Sequence, residues 1–348
     1  MEKEIIEAIS VELSHRREYI TKDINTIYFG GGTPSLLGTS SISHLLDEIN
    51  KSFNVDPNAE ITLEANPEDI NKVKVSDYYN LGINRISLGV QSFDDQILKN
   101  LNRQHSGRQA LNAIEILKNG GIDNLSIDLI YGIPGQDAET WHSNLGHAVA
   151  LEIPHVSSYA LTIEDKTAFG HWQKSGKIEA VEDVKYNDDY NTLCEVLARA
   201  DYTHYEVSNF ARVGFESKHN TSYWQQEPYL GLGPGAHSYD GINRQYNISN
   251  NASYIRALKN ETLPFEKEEL SKSQVFNEHL LTGLRTNQGI NFLDFERRFG
   301  VNLYNKHKKF IDQCLQEKMA TLVDEQFILT DAALILADSV IIEMMIEE

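Results

Sequence analysis

Through the long N-terminal part of the chain, short apolar runs alternate with stretches whose apolar positions recur every three or four residues. The short runs predict strands at 26–29, 61–64, 85–90, 125–131, 155–161 and 204–207. The longer stretches predict helices between them. Ile42, Leu45, Leu46 and Ile49 share one helical face, as do Ala110, Ile114 and Leu117, and later Leu193, Val196 and Leu197. Gly120-Gly121 stops one such helix just before the next strand. Alternation with short connections predicts parallel strands joined by helical crossovers, an α/β fold. The chain opens on an amphipathic helix from residue 3 to about 19, carrying Ile5, Ile6, Ile9 and Leu13. A βα protein that opens on a helix lacks the strand expected before it, so a barrel built this way would be incomplete, with an unpaired edge. After Phe210 the pattern changes. Gly231 to Tyr239 reads as a turn-rich loop, and from about Ala252 the chain is mostly helical up to a break at Asn287-Gln288-Gly289. The last stretch mixes a strand at 327–330 with apolar helix at 334–342. The expected organisation is one unit over 1–245 and a smaller, mostly helical unit over 246–348.

Composition narrows the class. With 348 residues, 41% apolar and 24% charged, the chain reads as globular with a sizeable core. No apolar run is long enough to span a bilayer, and residues 1–12 are too acidic for a signal peptide, so a cytoplasmic location is the expectation. The formal charge of −20 repels phosphate backbones and argues against nucleic-acid binding. The only cysteines, Cys194 and Cys314, sit in separate helical patterns and read as inert core thiols.

The unusual residues fall where strands end. Thr26-Ile27-Tyr28-Phe29 runs into Gly30-Gly31-Gly32-Thr33-Pro34, where bare backbone N–H groups can approach a polar ligand closely. Taken alone, this is equally a tight βα connection. Glu64 ends the next strand before Ala65-Asn66-Pro67, and serves either to cap that turn or to accept from an ammonium or hydroxyl. Gln91 and Arg103 flank a short helical segment, and Arg103 offers a fork suited to a carboxylate. Asp128 interrupts the apolar run 125–130, where a carboxylate needs a partner: a salt bridge or a bound ribose or amine. In parallel barrels chemistry gathers at these C-terminal strand ends. A second group, His219-Asn220-Thr221-Ser222-Tyr223-Trp224, combines an imidazole able to ligate a metal with aromatic faces able to pack on a flat ligand. The plainer account has His219 and Asn220 holding a loop while Tyr223 and Trp224 fill the core. His237 has no stronger claim than a turn residue.

Together these motifs resemble the radical S-adenosylmethionine (SAM) family of oxygen-independent coproporphyrinogen-III oxidases and heme chaperones, in order and spacing from Ile27 to at least Gly289. The His-Asn-x-x-Tyr-Trp motif is similar to that of the heme chaperone branch. The resemblance implies an open, incomplete (β/α)6-type barrel missing its first strand, followed by a smaller, mostly helical C-terminal domain. It implies SAM contacts at Gly31, Gly32, Thr33, Glu64, Gln91, Arg103 and Asp128. It further implies heme binding at His219, Asn220, Tyr223 and Trp224, with His219 the candidate iron ligand. The cofactors implied are SAM, heme and a 4Fe-4S cluster. The partners implied are heme-accepting proteins such as respiratory enzymes, with peripheral contact to membrane acceptors and a homodimer in view.

One part of the family pattern is absent: the Cys-x-x-x-Cys-x-x-Cys loop that holds the cluster. Either Met1 is internal to a longer reading frame or the site was lost. The first is the expectation, because the helix at Lys3 is where the family's chain resumes after that loop. Three functions stay open. The leading one is a heme chaperone. The second is a coproporphyrinogen-III oxidase acting through a 5′-deoxyadenosyl radical. The third is a cluster-less protein that binds heme or SAM.

Overall fold

The structure, a computed structural model, describes residues 2–162, 171, 175 and 182–347. Among them a seven-stranded sheet curls into a half-barrel. Its strands are β1 (Ile24–Phe29), β2 (Val55–Ala65), β3 (Arg85–Gln91), β4 (Asn124–Tyr131), β5 (His155–Ala160), β6 (Thr203–Glu206) and β7 (Asn209–Ala211). The order is β1-β2-β3-β4-β5-β7-β6. From β1 to β5 every pairing is parallel. The expected run at 204–207 is corrected in one respect. It ends at Glu206 and turns straight back into β7, so β6 and β7 form an antiparallel pair at the sheet's edge. Val207 and Ser208 alone separate them, too short for the helical crossover a parallel strand requires.

The crossover helices cover the convex face. These are α2 (Thr39–Ser52), α3 (Lys72–Asn80), α4 (Asp95–Asn100), α5 (Gly107–Asn119), α6 (Ala138–Ala150) and α7 (Asp183–Arg199), while α1 (Glu2–His15) ends four residues before the position expected from periodicity. Ile27, Leu63, Ile86, Leu88, Leu125, Ile127 and Val156 point outward from the strands into one core with Ile42, Leu46, Ile114, Leu117, Trp141 and Leu193 of the helices. Each apolar side chain buried this way contributes about 1.5–3 kcal/mol. Ser106 and Gln109 close a capping box at the start of α5, which fixes where that helix leaves the strand end.

Residue 245 lies inside a second, three-stranded sheet, ordered β10-β9-β8, of β8 (His237–Tyr239), β9 (Asn243–Asn247) and β10 (Phe265–Glu269), which is continuous across that position. With α9 (Asn251–Lys259) it receives α1. The buried Glu12 carboxylate accepts from Arg16, Asn247, Tyr254 and the Gly233 N–H, so a charge without access to water is fully paired. The remainder is mostly helical, from α10 (Lys272–Leu284) to the terminal helix Ala337–Met344, around a small sheet that includes Gln326–Leu329. Its core residues Phe276, Leu280, Phe295 and Phe327 belong to the same apolar cluster as the barrel. Cys314 is buried here. Cys194, on α7, is partly buried, and desolvation pushes its thiol up to about 12.

Candidate functional site

The concave face of the half-barrel is polar, an inversion visible strand by strand. Thr26 and Tyr28 of β1 pair in register with Glu60 and Thr62 of β2. Thr62 and Glu64 pair with Arg85 and Ser87 of β3, and those two with Asn124 and Ser126 of β4. Ser126 and Asp128 pair with His155 and Ser157 of β5. Because side chains alternate across a strand, these all face the lumen while their apolar neighbours face the helices.

The floor of the lumen is a closed network. Arg85, 2% exposed, donates to Asn124 Oδ1 at 2.6 Å and to the Phe215 carbonyl at 3.2 Å, with Glu60 at 4.0 Å. His155 Nδ1 hydrogen-bonds Ser126 Oγ at 2.7 Å and Nε2 meets the Tyr205 hydroxyl at 2.8 Å. Desolvation, and then the Arg85 charge, hold its pKa well below the usual imidazole value, so it is a neutral ring that ties β4 to Tyr205.

The mouth carries the Gly-rich turn. Gly31 and Gly32 have φ of 76° and 65°, a left-handed backbone that glycine adopts without strain. Gly30 is glycine for a different reason: a Cβ there would lie 2.5 Å from Tyr28 Cε1 and 3.0 Å from Glu64 Oε1. Glu64 is held at both oxygens, accepting from the Tyr28 hydroxyl at 2.8 Å and from the Gly31 N–H at 3.1 Å. Thr33 leads into a 3-10 turn, Pro34–Leu36. The Ser35 hydroxyl donates to Asp69 Oδ2 at 2.6 Å and Lys74 Nζ donates to the Ser35 carbonyl at 2.7 Å, tying the turn to the next βα unit. Gln91, a buried non-glycine residue with φ of 65°, ends β3 where the β3–β4 register shifts. A Cβ at Gly89 would sit 3.0 Å from Gln91 Nε2, so Gly89 leaves room for that amide. Asp128 accepts from Ser87 Oγ at 3.2 Å. Burial raises its pKa to about 6, opposed mainly by that hydrogen bond, with the Glu64 charge also raising it and Arg103 lowering it. Arg103 itself is exposed, just beyond α4, close enough to act on Asp128 through its charge. Glu64, Gln91, Asp128 and the turn therefore converge on one rim, and Arg103 approaches from outside. Glu64 is already held by Tyr28 and the Gly31 N–H, and Asp128 by Ser87, and the carboxylate oxygens keep lone pairs that can accept from a ligand's ammonium or hydroxyl groups.

The second group lies on α8 (Lys218–Trp224), which packs against β1 at the open side of the half-barrel. Ser217 caps it through the Asn220 N–H, and Glu60 on β2 accepts from the Lys218 and His219 N–H groups at 3.2 and 3.0 Å. The His219 ring stacks on Tyr28 at 4.7 Å and 19°. Its Nδ1 shares a hydrogen bond with Thr26 Oγ1 at 2.8 Å, and its Nε2 one with the Tyr223 hydroxyl at 2.9 Å. Desolvation lowers its pKa to about 4, so the ring is neutral, the form that binds iron. Tyr223, 40% exposed, meets Tyr229 edge-on at 4.7 Å. The motif forms a helix rather than a loop and no residue of that helix is buried, while His219 is held through both ring nitrogens. Asn220 and Trp224 are partly exposed on α8, and His237 is exposed on β8.

Tyr28, Thr26 and Glu60 do not stand out in the motifs, yet they join the two groups. Their signal in the sequence is a set of polar residues at alternate positions of β1 and β2. The described residues do not suit a 4Fe-4S cluster. They contain no group of three or more His, Cys, Asp or Glu side chains placed to hold a metal ion, and Cys194 and Cys314 lie on a crossover helix and in the C-terminal core. No helix among them is long and apolar enough to cross a membrane.

Residues 12–145 match the radical SAM superfamily, and residues 270–336 match the HemN C-terminal domain. The heme chaperone HemW of Lactococcus lactis subsp. lactis (strain IL1403) is 35% identical over 325 residues, covering 93% of this chain and 86% of its own. HemW of Synechocystis sp. (strain ATCC 27184 / PCC 6803 / Kazusa) is 37% identical over 290 residues, covering 82% and 70%. HemW of Bacillus subtilis (strain 168) is 32% identical, covering 81% and 75%. Among solved structures, the radical SAM enzyme coproporphyrinogen III oxidase (HemN) from Escherichia coli superposes with a TM-score of 0.84 at 19% identity, over 99% of this chain and 83% of that one.

Proposed function

The chain belongs to the HemW/HemN-like family of radical SAM proteins, and from that premise we propose that it is a heme chaperone, binding heme at α8 and passing it to acceptor proteins. The single observation that carries the reading is the neutral, solvent-accessible edge of His219–Tyr223 on the open side of the half-barrel. The names of the relatives support it. In this reading His219 Nε2 meets the iron, the Tyr223 and Trp224 rings flank the porphyrin, and Asn220 offers an amide to its periphery. Thr26 and Tyr28 fix the plane of the imidazole, a role that metal-binding histidines regularly need a partner for. The acceptors proposed are heme proteins such as respiratory enzymes, in a cytoplasmic setting with peripheral contact to membrane-bound acceptors. A homodimer is part of the same proposal.

Family membership implies SAM and a 4Fe-4S cluster. SAM is proposed at the rim formed by Gly31, Gly32, Thr33, Glu64, Gln91, Arg103 and Asp128. When bound beside a cluster, SAM supplies one-electron chemistry. This chain's residues would orient it and accept from its ammonium and hydroxyl groups, with Asp128 taking up a proton only as pH falls through about 6. The described residues include no cluster ligands, so their proposed role stops at binding and orienting SAM.

The test is a heme titration followed at the Soret band for the chain and for His219→Ala, then mixing of the loaded protein with an apo-hemoprotein. A Soret shift lost in the variant, and transfer faster than from free heme, support the proposal. A titration unchanged by His219→Ala returns that residue to a structural role. The HemN-like fold keeps a second reading, coproporphyrinogen-III oxidation, in view. Decarboxylated porphyrinogen from protein given the family's Cys-x-x-x-Cys-x-x-Cys loop and a reconstituted cluster would decide for it.

A further inference from the structure

The Tyr28 ring is clamped. One face lies on the His219 imidazole at 4.7 Å, and its edge fills the space a Cβ at Gly30 would take, 2.5 Å from Cε1 and 2.9 Å from Cδ1. Its hydroxyl donates to Glu64 Oε1 at 2.8 Å, and the other Glu64 oxygen accepts from the Gly31 N–H at 3.1 Å. Within its own plane His219 is fixed separately, by Thr26 at 2.8 Å and Tyr223 at 2.9 Å. One side chain thus touches the rim carboxylate with its hydroxyl and the α8 imidazole with its face.

We propose that Tyr28 is a positioning residue that couples the two sites, so that SAM held by Glu64 tightens heme binding at His219. The coupling rests on the proposed SAM and heme sites. A carboxylate has about four lone-pair positions, so Glu64 can accept from a ligand ammonium while keeping both Tyr28 and Gly31. A ligand that pins Glu64 pins the phenol that donates to it. The ring edge already lies against Gly30, where even a Cβ would sit 2.5 Å from Cε1. The imidazole then rests on an ordered platform, and less ordering remains for heme binding to accomplish. The effect is reciprocal: heme tightens SAM by the same factor.

The experiment is a Soret titration with heme, with and without saturating SAM, on the wild-type chain, Tyr28→Phe and Tyr28→Leu. Calorimetry measures SAM binding to each. Couplings between sites run from about 5-fold to 150-fold, and a single hydrogen bond places this one at the low end, about 5-fold tighter heme binding with SAM. Tyr28→Phe keeps the stack but loses the bond to Glu64. Whatever its heme affinity without SAM, the ratio of heme affinities with and without SAM should fall to about one. Tyr28→Leu loses the platform and should weaken heme in both conditions. A SAM effect that persists in Tyr28→Phe, or a factor of one in wild type when both ligands bind, overturns the coupling alone. Failure of SAM to bind, or of heme to bind through His219, overturns the reading of that site and the coupling with it.

Discussion

Substituting Tyr223 by Phe isolates one atom. In the resting structure the nitrogen proposed to meet iron is occupied, since His219 Nε2 and the Tyr223 hydroxyl lie 2.9 Å apart. A neutral imidazole carries one N–H. With that proton on Nδ1 and accepted by Thr26 Oγ1, Nε2 accepts from the phenol, which stays protonated because desolvation pushes its pKa up to about 12. Iron must therefore displace the hydroxyl. A net hydrogen bond of this kind is worth about 0.5–1.5 kcal/mol, and the partial exposure of Tyr223 favours the lower half of that range. At 1.4 kcal/mol per decade, Tyr223→Phe should bind heme about two- to fivefold more tightly. The phenyl ring keeps the edge-on contact with His219 at 4.9 Å, so the porphyrin loses no aromatic surface. The assay is equilibrium Soret titration of wild type, Tyr223→Phe and His219→Ala, with thermal melts as a control for folding. Weaker heme binding by Tyr223→Phe would refute the reasoning, because the hydroxyl would then serve the porphyrin or the iron itself.

Other outcomes follow from the same geometry. His219 has a folded pKa lowered to about 4, so its contribution to stability is complete above about pH 6.5 and is lost as pH falls through about 4. Heme binding should accordingly persist at about pH 5, where an ordinary imidazole is already protonated, and a pH series of Soret titrations checks this. Asp128 has a pKa raised to about 6, so ionising it costs stability as pH rises from the usual carboxylate range through about 6. Asp128→Asn should be about 1–3 kcal/mol more stable than wild type at pH 7, with the gain vanishing below about pH 4, as read by denaturant melts at both pH values. Gly30→Ala forces a methyl into the Tyr28 ring and should cost about 1–3 kcal/mol while loosening His219. A wild-type melting curve would show that the ring moves freely. Glu12→Ala strands the buried Arg16 and should cost about 3–5 kcal/mol, detaching α1 from the small sheet, which hydrogen exchange would report.

Much of the barrel is legible in the sequence because its core obeys a simple period. The strand runs and the helical faces at Ile42–Ile49 and Ala110–Leu117 place apolar side chains together on the convex side, and periodicity detects that directly. The β6–β7 hairpin reads as one strand because three residues, Asn209 to Ala211, carry too short a pattern to separate from the preceding run. The small sheet is hidden for a related reason: β10 is Phe-Glu-Lys-Glu-Glu, almost wholly exposed, and no apolar alternation marks it. At the site, Glu64, Gln91 and His219 stand out because polar types occur where runs end or helices begin, and Asp128 because it interrupts an apolar run. What joins them does not stand out. Tyr28 looks apolar within its strand, and Glu60 looks like a surface charge until the register sets it under α8.

That last contact bears on how the chain assembles. The Glu60 carboxylate and the helix it caps lie 158 residues apart in sequence. A helix of seven residues is too short to persist in water alone. The Lys218 and His219 N–H groups find their acceptor on β2, a strand from a distant part of the chain. α8 should thus be among the last parts of the barrel to acquire structure, since contacts of such long range form slowly. A newly made chain would complete its scaffold before the site proposed for heme existed.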